Sequence, residues 1–419
     1  MNIVIYWEQE SWGGTDTHLC SLLSDWPNTE DQILLITNFG NKGFARIRDH
    51  LSKLKNVKCK EINSLFVMGE KRLLSGRLAS LIRIFSRPFF FVVMTFRLKI
   101  LLRQLGPFDV LMSNNGGYPA AWGCLSAIMA AKRAGIPARV LVVHHGATKD
   151  GIFQGWFEKL VDNFISQAVS SIVCVSYATR QTLIDNRWLA DSEQLHMRVI
   201  YNGVRESVTT SLTVKNSRDQ IRAKFGVLIN DIAIVIVGRV EPYKGHEDVI
   251  LGMSRMNTTD APRTKLIIIG AGDHAEITRL MAIAHMAGVS GQVIFLGYVD
   301  EAIAEVIAHI DLLVVATRTF EGFGLTLAEA MQVGTPILAT RVGGIPEFVD
   351  DKVGYLVQPG DPQAIGDALD DFALNPAEWI YRAKIAKEHI GKFSSKNMSL
   401  EYRKFFTERL AEKMGRTKL

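Results

Sequence analysis

The segment Ile232-Ala233-Ile234-Val235-Ile236-Val237 places six apolar residues in a row, most of them β-branched, and ends at Gly238. A strand with one wet face alternates apolar and polar residues. An unbroken run instead suits a strand covered on both faces, as in a parallel sheet flanked by helices. Such runs recur, each followed by a stretch of helical period. In the first half they occupy 3–6, 33–37, 57–61, 110–113, 140–144, 172–176 and 199–201. In the second half they occupy 232–237, 266–270, 293–296, 312–316, 336–339 and 355–357. Two consecutive series predict an α/β protein built from two doubly wound, Rossmann-like domains facing an inter-domain cleft. A length of 419 residues suits two such cores and is too long for one. The polar stretch from Glu206 to Asp219 separates the series, so the domains are placed at 1–205 and 206–395. Residues 396–419 read as a charged amphipathic helix belonging to either.

Composition removes several classes. A hydrophobic fraction of 47% with 22% charged residues is that of a folded chain. The net charge of +5 is too small over this length to argue for nucleic acid. Cys20, Cys59, Cys124 and Cys174 are widely spaced, which argues against a disulfide scaffold or zinc ribbon and for a reducing compartment. The start, Met1 to Glu8, reads as a strand rather than a secretory leader. The G-x-S-x-G, H-E-x-x-H and G-x₄-G-K-[ST] signatures do not occur.

Two loops after strands concentrate chemistry. In Gly238-Arg239-Val240-Glu241-Pro242-Tyr243-Lys244-Gly245, glycine and proline shape a turn that carries a guanidinium and an ammonium to the carboxyl edge of a sheet. Both are suited to phosphate oxygens. In Glu321-Gly322-Phe323-Gly324-Leu325, two glycines leave the first N–H groups of a following helix open to an anion. Glu329 then falls inside the apolar run Leu-Ala-Glu-Ala-Met, where an unpartnered carboxylate is costly. Sugar hydroxyls would supply the donors it needs.

These residues resemble the family-4 retaining glycosyltransferases, which use nucleotide sugars on a two-Rossmann-domain (GT-B) fold. The resemblance runs through Gly334-Thr335-Pro336, Gly343-Gly344-Ile345-Pro346-Glu347 and Gly354-Tyr355-Leu356-Val357, and includes Val199 to Val204 at the junction. In the first half, Trp12-Gly13-Gly14-Thr15-Asp16 is similar to the family's diglycine loop, with Asp16 where glutamate is more usual. Val140 to Gly146 is similar to a strand ending in a histidine that faces the donor sugar. The His-Gly pairing favours His145, and the doublet leaves His144 open.

The resemblance implies roles. Arg239 and Lys244 would neutralise the donor diphosphate, Glu329 would bind the ribose hydroxyls, and Glu321 and His145 would contact the hexose. Gly13, Gly14, Gly238 and the backbone of Phe323, Gly324 and Leu325 would line sugar and phosphate. A cation about 4 Å from a phosphate charge contributes about 4 kcal/mol at an effective dielectric of ~20. With no Asp-x-Asp pair in the chain, no metal and no other cofactor are expected.

Between Lys71 and Gln104 stand eight basic residues and no acidic one. Among them are Arg77, Arg83, Arg87 and Arg97, interleaved with Phe89, Phe90 and Phe91. This composition suits an anionic membrane surface, or alternatively a helix covering the sheet. The first reading predicts a cytoplasmic protein peripheral to the inner face of the cell membrane, with a lipid-linked glycan or glycolipid acceptor. Asn114, Asn115 and Tyr118, after a strand of the same domain, are then candidates for the acceptor side. Nucleic acid is not an expected partner. A nucleotide-sugar epimerase, a sugar phosphorylase and a non-catalytic membrane adaptor are the nearest alternatives. The run Gly270-Ala271-Gly272-Asp273-His274-Ala275 also fits the dinucleotide-binding fingerprint of an oxidoreductase, but no acidic residue stands at the end of the next strand.

Overall fold

The computed structural model describes residues 1–10, 12–63, 77–149, 155–187, 189, 196–205, 218–256, 263–299 and 302–416, without the side chains of 77–85 and 413–416. The chain divides into two compact units, Met1–Gly203 with Ser395–Leu419, and Val204–Ser394. Each is a parallel sheet covered by helices, as the unalternating apolar runs require.

The first unit holds β1 (Asn2–Trp7), β2 (Gln32–Asn38), β3 (Val57–Ile62), β4 (Val110–Asn115), β5 (Ala138–Val143), β6 (Ser171–Cys174) and β7 (His196–Val199). Their order is β3-β2-β1-β4-β5-β6-β7. The second unit holds β8 (Ile232–Val237), β9 (Thr264–Ile269), β10 (Val293–Gly297), β11 (Leu312–Val315), β12 (Ile337–Thr340) and β13 (Tyr355–Val357), in the order β10-β9-β8-β11-β12-β13. In both sheets the winding reverses beside the first strand, between β1 and β4 and between β8 and β11. Loops leaving the carboxyl ends of these strands flank the crevice where open α/β sheets take ligands.

One strand differs from expectation. The run at 199–201 shares only Val199 with β7, which pairs His196–Val199 against Ser171–Cys174. This edge strand is exposed to half-buried and carries His196 and Arg198, so apolar continuity does not reveal it.

The C-terminal helix Ser395–Arg416 packs in the first unit. Met398, Tyr402, Phe405 and Phe406 recur at helical spacing and are buried with Ile3, Ile5 and Leu19. Polar ties reinforce the seam: Ser399 donates to the Leu22 carbonyl at 2.7 Å and Arg403 to Asp31 at 2.9 Å.

The basic, aromatic segment forms the helix Arg77–Leu105. Phe91, expected at a membrane, is buried in the core with Met94, Leu98 and Leu102, because these positions share the stripe that meets the sheet. Arg87 is half-buried, its guanidinium 5.5 Å from the Trp122 ring centroid. Phe89 and Arg97 are exposed and Phe90 is half-buried. The side chains of Arg77 and Arg83, with all of Lys71 and Arg72, lie outside the described residues. Among the described residues no helix is long and apolar enough to cross a membrane.

A buried ion cluster sits beneath the loops after β4 and β5. Arg187 donates to Asp162 at 2.9 and 3.0 Å and to Glu158 at 2.8 Å, and its side chain is fully shielded from solvent. Tyr118 Oη donates to Asp162 at 2.7 Å, and Arg187 also reaches the Thr148 carbonyl at 3.3 Å. Removing one member of such a cluster strands its partners' charge in a dry site. Arg187→Ala is expected to lower stability by about 3–5 kcal/mol, read as a fall in the urea midpoint at unchanged slope.

Candidate active site

In the second unit the switch point brings the two chemistry-bearing loops side by side, one leaving β8 and the other β11. The turn Pro242–Lys244 lifts Lys244 to the rim and ends at Gly245, whose φ is +73°. A Cβ at Gly245 would stand 1.9 Å from the Ala316 carbonyl oxygen, so only glycine lets the loops approach this closely. The loops are then stitched together. The Arg318 N–H donates to the Tyr243 carbonyl at 2.7 Å, while the Arg318 guanidinium grips Asp248 at 2.5 and 2.7 Å.

At the centre Lys244 Nζ donates to Glu321 Oε2 at 2.7 Å, across 77 residues of sequence. Both side chains are about four-fifths shielded, at 22% and 18% exposure. Burial alone would push Lys244 down, but Glu321 outweighs it and holds the ammonium above its ordinary value. Thr317 Oγ1 adds a hydrogen bond to the same Glu321 oxygen at 3.3 Å. From behind, the Gly344 N–H donates to the Glu321 carbonyl at 2.8 Å. Gly343 has φ of +53°, and a Cβ there would lie 2.1 Å from that carbonyl oxygen.

Arg239 is on the same loop but 63% exposed, pairing with Glu241 at 2.7 Å and the Tyr243 hydroxyl at 3.2 Å. Gly238 turns the chain at the end of β8 with φ of +152°. Gly324 and Leu325 open the helix Leu325–Val333, which has no side-chain cap. Phe323 is buried and stacks on Phe348 with ring centroids 4.5 Å apart, fixing the loop from below. Glu329 projects from this helix with no hydrogen bond or ion pair to the described residues. Burial raises its carboxyl to about 7.

The first unit treats its candidates differently. Asp16 is fully buried, accepting from the Gly13 N–H at 2.8 Å and the Trp7 indole at 3.2 Å. The Gly13 N–H is therefore engaged within the loop, while Gly14 begins the helix Gly14–Ser24. Burial raises Asp16 to about 6 against the lowering effect of these bonds. Of the histidine pair, His144 Nε2 meets Asn114 Oδ1 at 2.7 Å and its ring packs 4.5 Å from that of His18. Burial, with His18 beside it, drives His144 well below the usual imidazole value. His145 follows, half-buried beside Gly117.

The three acceptor-side candidates lie inside the first unit, with their polar contacts made to the protein. Asn114, Asn115 and Tyr118 are all buried. Asn114 holds His144, Asn115 Oδ1 accepts from the Ala121 N–H at 3.2 Å, and Tyr118 points to Asp162. A polar loop after a strand reads the same in sequence whether its side chains face a ligand or satisfy its own backbone. Thr317, Arg318, Asp248 and Gly343 support the site without having been assigned a role from sequence. Only Gly343 carried a local signal, its place in the Gly-Gly-Ile-Pro-Glu run.

Comparison with known proteins identifies the family. The model described as Glycosyl transferases group 1 matches residues 217–390, and that described as Glycosyltransferase Family 4 matches residues 12–208. Together these models span both units, and the chain belongs to the family-4 glycosyltransferases of GT-B type. Particular relatives include the N-acetyl-alpha-D-glucosaminyl L-malate synthase of Bacillus anthracis, 30% identical over 41% of this chain and 42% of that protein. The D-inositol 3-phosphate glycosyltransferase of Saccharomonospora viridis is 31% identical over 42% of this chain and 43% of its own. The chain thus spans about half the length of the curated relatives it matches. Among solved structures, Anabaena HepE in complex with UDP and glucose superimposes with a TM-score of 0.73 at 19% identity, covering 97% of this chain and 100% of that one.

Two outcomes are expected. Gly343→Ala should push the Glu321 carbonyl aside, lower kcat by about 10- to 100-fold and also lower the melting temperature, since alanine is strained at this positive φ. For Glu329, the folded-state value near 7 lies above the ordinary 4.5. Native protein then holds the extra proton between those values, and the stability this group contributes is lost as pH rises through about 7. Glu329→Gln should therefore melt higher than wild type at pH 8, the difference shrinking towards pH 4.

Proposed function

We propose that the protein is a retaining hexosyltransferase that moves a sugar from a nucleoside diphosphate to a lipid-linked glycan or glycolipid acceptor, without a metal ion. The observation that carries this reading is the Lys244–Glu321 pair, held at 2.7 Å on the two loops that flank the switch point. A donor diphosphate entering there meets Lys244, with Arg239 on the same loop. The transferred hexose lies against Glu321 and the backbone of Phe323, Gly324 and Leu325. Glu329, with no hydrogen bond or ion pair to the described residues, takes the ribose hydroxyls, whose donation favours its ionised form. His145, in the first unit, is the remaining candidate for the hexose.

In the transfer itself the bond from the sugar's anomeric carbon to the β-phosphate oxygen breaks and a bond to the acceptor hydroxyl oxygen forms. The acceptor's proton passes to the departing phosphate on the same face, so configuration is kept. Negative charge grows on the leaving oxygens as an oxocarbenium-like centre develops. A fixed ammonium at that position stabilises the transition state more than the ground state. Lys244 and Arg239 are assigned the part that a divalent ion plays elsewhere.

HepE's complexes with UDP and with UDP-glucose make UDP-sugars the first donors to test. The exposed Phe89 and Arg97 support an acceptor at an anionic membrane surface, on its cytoplasmic face. A small polar acceptor is the second reading, favoured by the relatives named for malate and inositol 3-phosphate.

Lys244→Ala and Glu321→Ala should each lower transfer by about 10²–10³-fold or more while circular dichroism stays unchanged. Lys244→Ala should also abolish the thermal shift given by the best sugar nucleotide. Near-normal turnover in both variants, or activity that vanishes with EDTA and returns with manganese, would overturn this chemistry.

A further inference from the structure

The helix Arg77–Leu105 presents a second stripe, opposite in use to the one in the core. Phe89, Val92, Phe96 and Ile100 are exposed at 52–66%. The helix Gly155–Ala168 adds Trp156, Leu160 and Phe164, also exposed. Between these stripes runs a groove of about 230 Å³ lined by Val92, Phe96, Met129, Trp156, Leu160 and Phe164, with almost no polar surface. Arg133 also lines it.

Among the described residues, the exposed charges on the helices around the groove are of one sign. Arg97, Arg103, Lys132, Arg133 and Lys159 are exposed on the helices that form it, Arg77–Leu105, Trp122–Ala134 and Gly155–Ala168. Among their described side chains the acids are Glu158 and Asp162, and both turn inward onto Arg187. A second copy of the chain docking by a two-fold axis would set cation against cation. A neutral apolar peptide would bring no anion to Arg133, the cation that lines the groove. A hydrocarbon chain with an anionic head satisfies both features.

We infer that this groove is a lipid subsite that takes the hydrocarbon chain of a phosphate-bearing acceptor, with the phosphate at Arg133. This deepens the lipid-acceptor reading above and rests on it for what the chain carries, not for the binding itself. A membrane surface as such would meet the exposed stripe without needing a groove. A chain that enters the groove is removed from water along its length.

The test uses the full-length protein and single-chain octyl, decyl and dodecyl phosphate below their micellar concentrations, followed by calorimetry. Affinity should rise about fourfold per added methylene. Val92→Trp with Leu160→Trp, both at exposed positions, should fill the groove and lower dodecyl phosphate affinity at least tenfold. The same variant should still sediment with phosphatidylglycerol vesicles. Arg133→Gln should weaken dodecyl phosphate but not dodecyltrimethylammonium.

Loss of chain-length dependence, or unchanged affinity in the filled variant, would overturn the subsite. So would binding of wild type to vesicles but to none of the alkyl phosphates. A stable dimer in sedimentation velocity that alkyl phosphate does not dissociate would show that a second copy covers the groove. If alkyl phosphates bind as expected but lipid-linked acceptors are not glycosylated, the acceptor reading fails and the subsite stands.

Discussion

The contact between Lys244 and Glu321 is the constraint around which the second unit's site is arranged. Two loops that sequence separates by 77 residues meet because their strands, β8 and β11, are neighbours where the sheet reverses its winding. The remaining features keep that contact in place. Gly245 and Gly343 remove Cβ atoms that would part the loops, and Arg318 ties Tyr243 to the helix bearing Asp248. A partly buried ion pair gains little net stability, since desolvation offsets much of the Coulomb attraction. Its value is positional. The ammonium and carboxylate are held in place before any ligand arrives.

The first unit has used its polar residues differently. Asp16, Asn114, Asn115 and Tyr118 are buried and His144 is half-buried, and each is engaged by a neighbouring group. Such groups can stay buried only while hydrogen-bonded, and they make the turns after β1, β4 and β5 rigid. Burial leaves His144 neutral and Asp16 raised to about 6, so neither matches a simple exposed acid or base. The contrast with Glu329 is instructive. There a half-buried carboxylate has no hydrogen bond or ion pair to the described residues, which is the arrangement expected where a ligand supplies the missing donors.

The basic, aromatic helix shows how two demands share one segment. Its core stripe at 91, 94, 98 and 102 and its solvent stripe at 89, 92, 96 and 100 are each spaced by a helical repeat, offset by about two residues. Composition alone could not say which phenylalanine belongs to which stripe. Phe91 goes inward and Phe89 outward because residues two apart point to different sides of a helix.

The sequence by itself determined the architecture and the chemistry-bearing loops. Unbroken β-branched runs suit strands covered on both faces, as in a parallel sheet flanked by helices, and Gly-rich turns after them mark where a ligand can approach. Lys244, Glu321, Arg239 and Glu329 were all legible in this way, because each departs from its local background: a charge on a strand-end loop, or a carboxylate in an apolar run. Tertiary structure alone decided which polar loop residues face inward. Asn114, Asn115 and Tyr118 have partners such as His144, Ala121 and Asp162, and hydrogen bonds between distant segments leave no mark in local composition. It also decided that Lys244 answers Glu321. Strand order is set by how the whole sheet packs, and no window of sequence contains it.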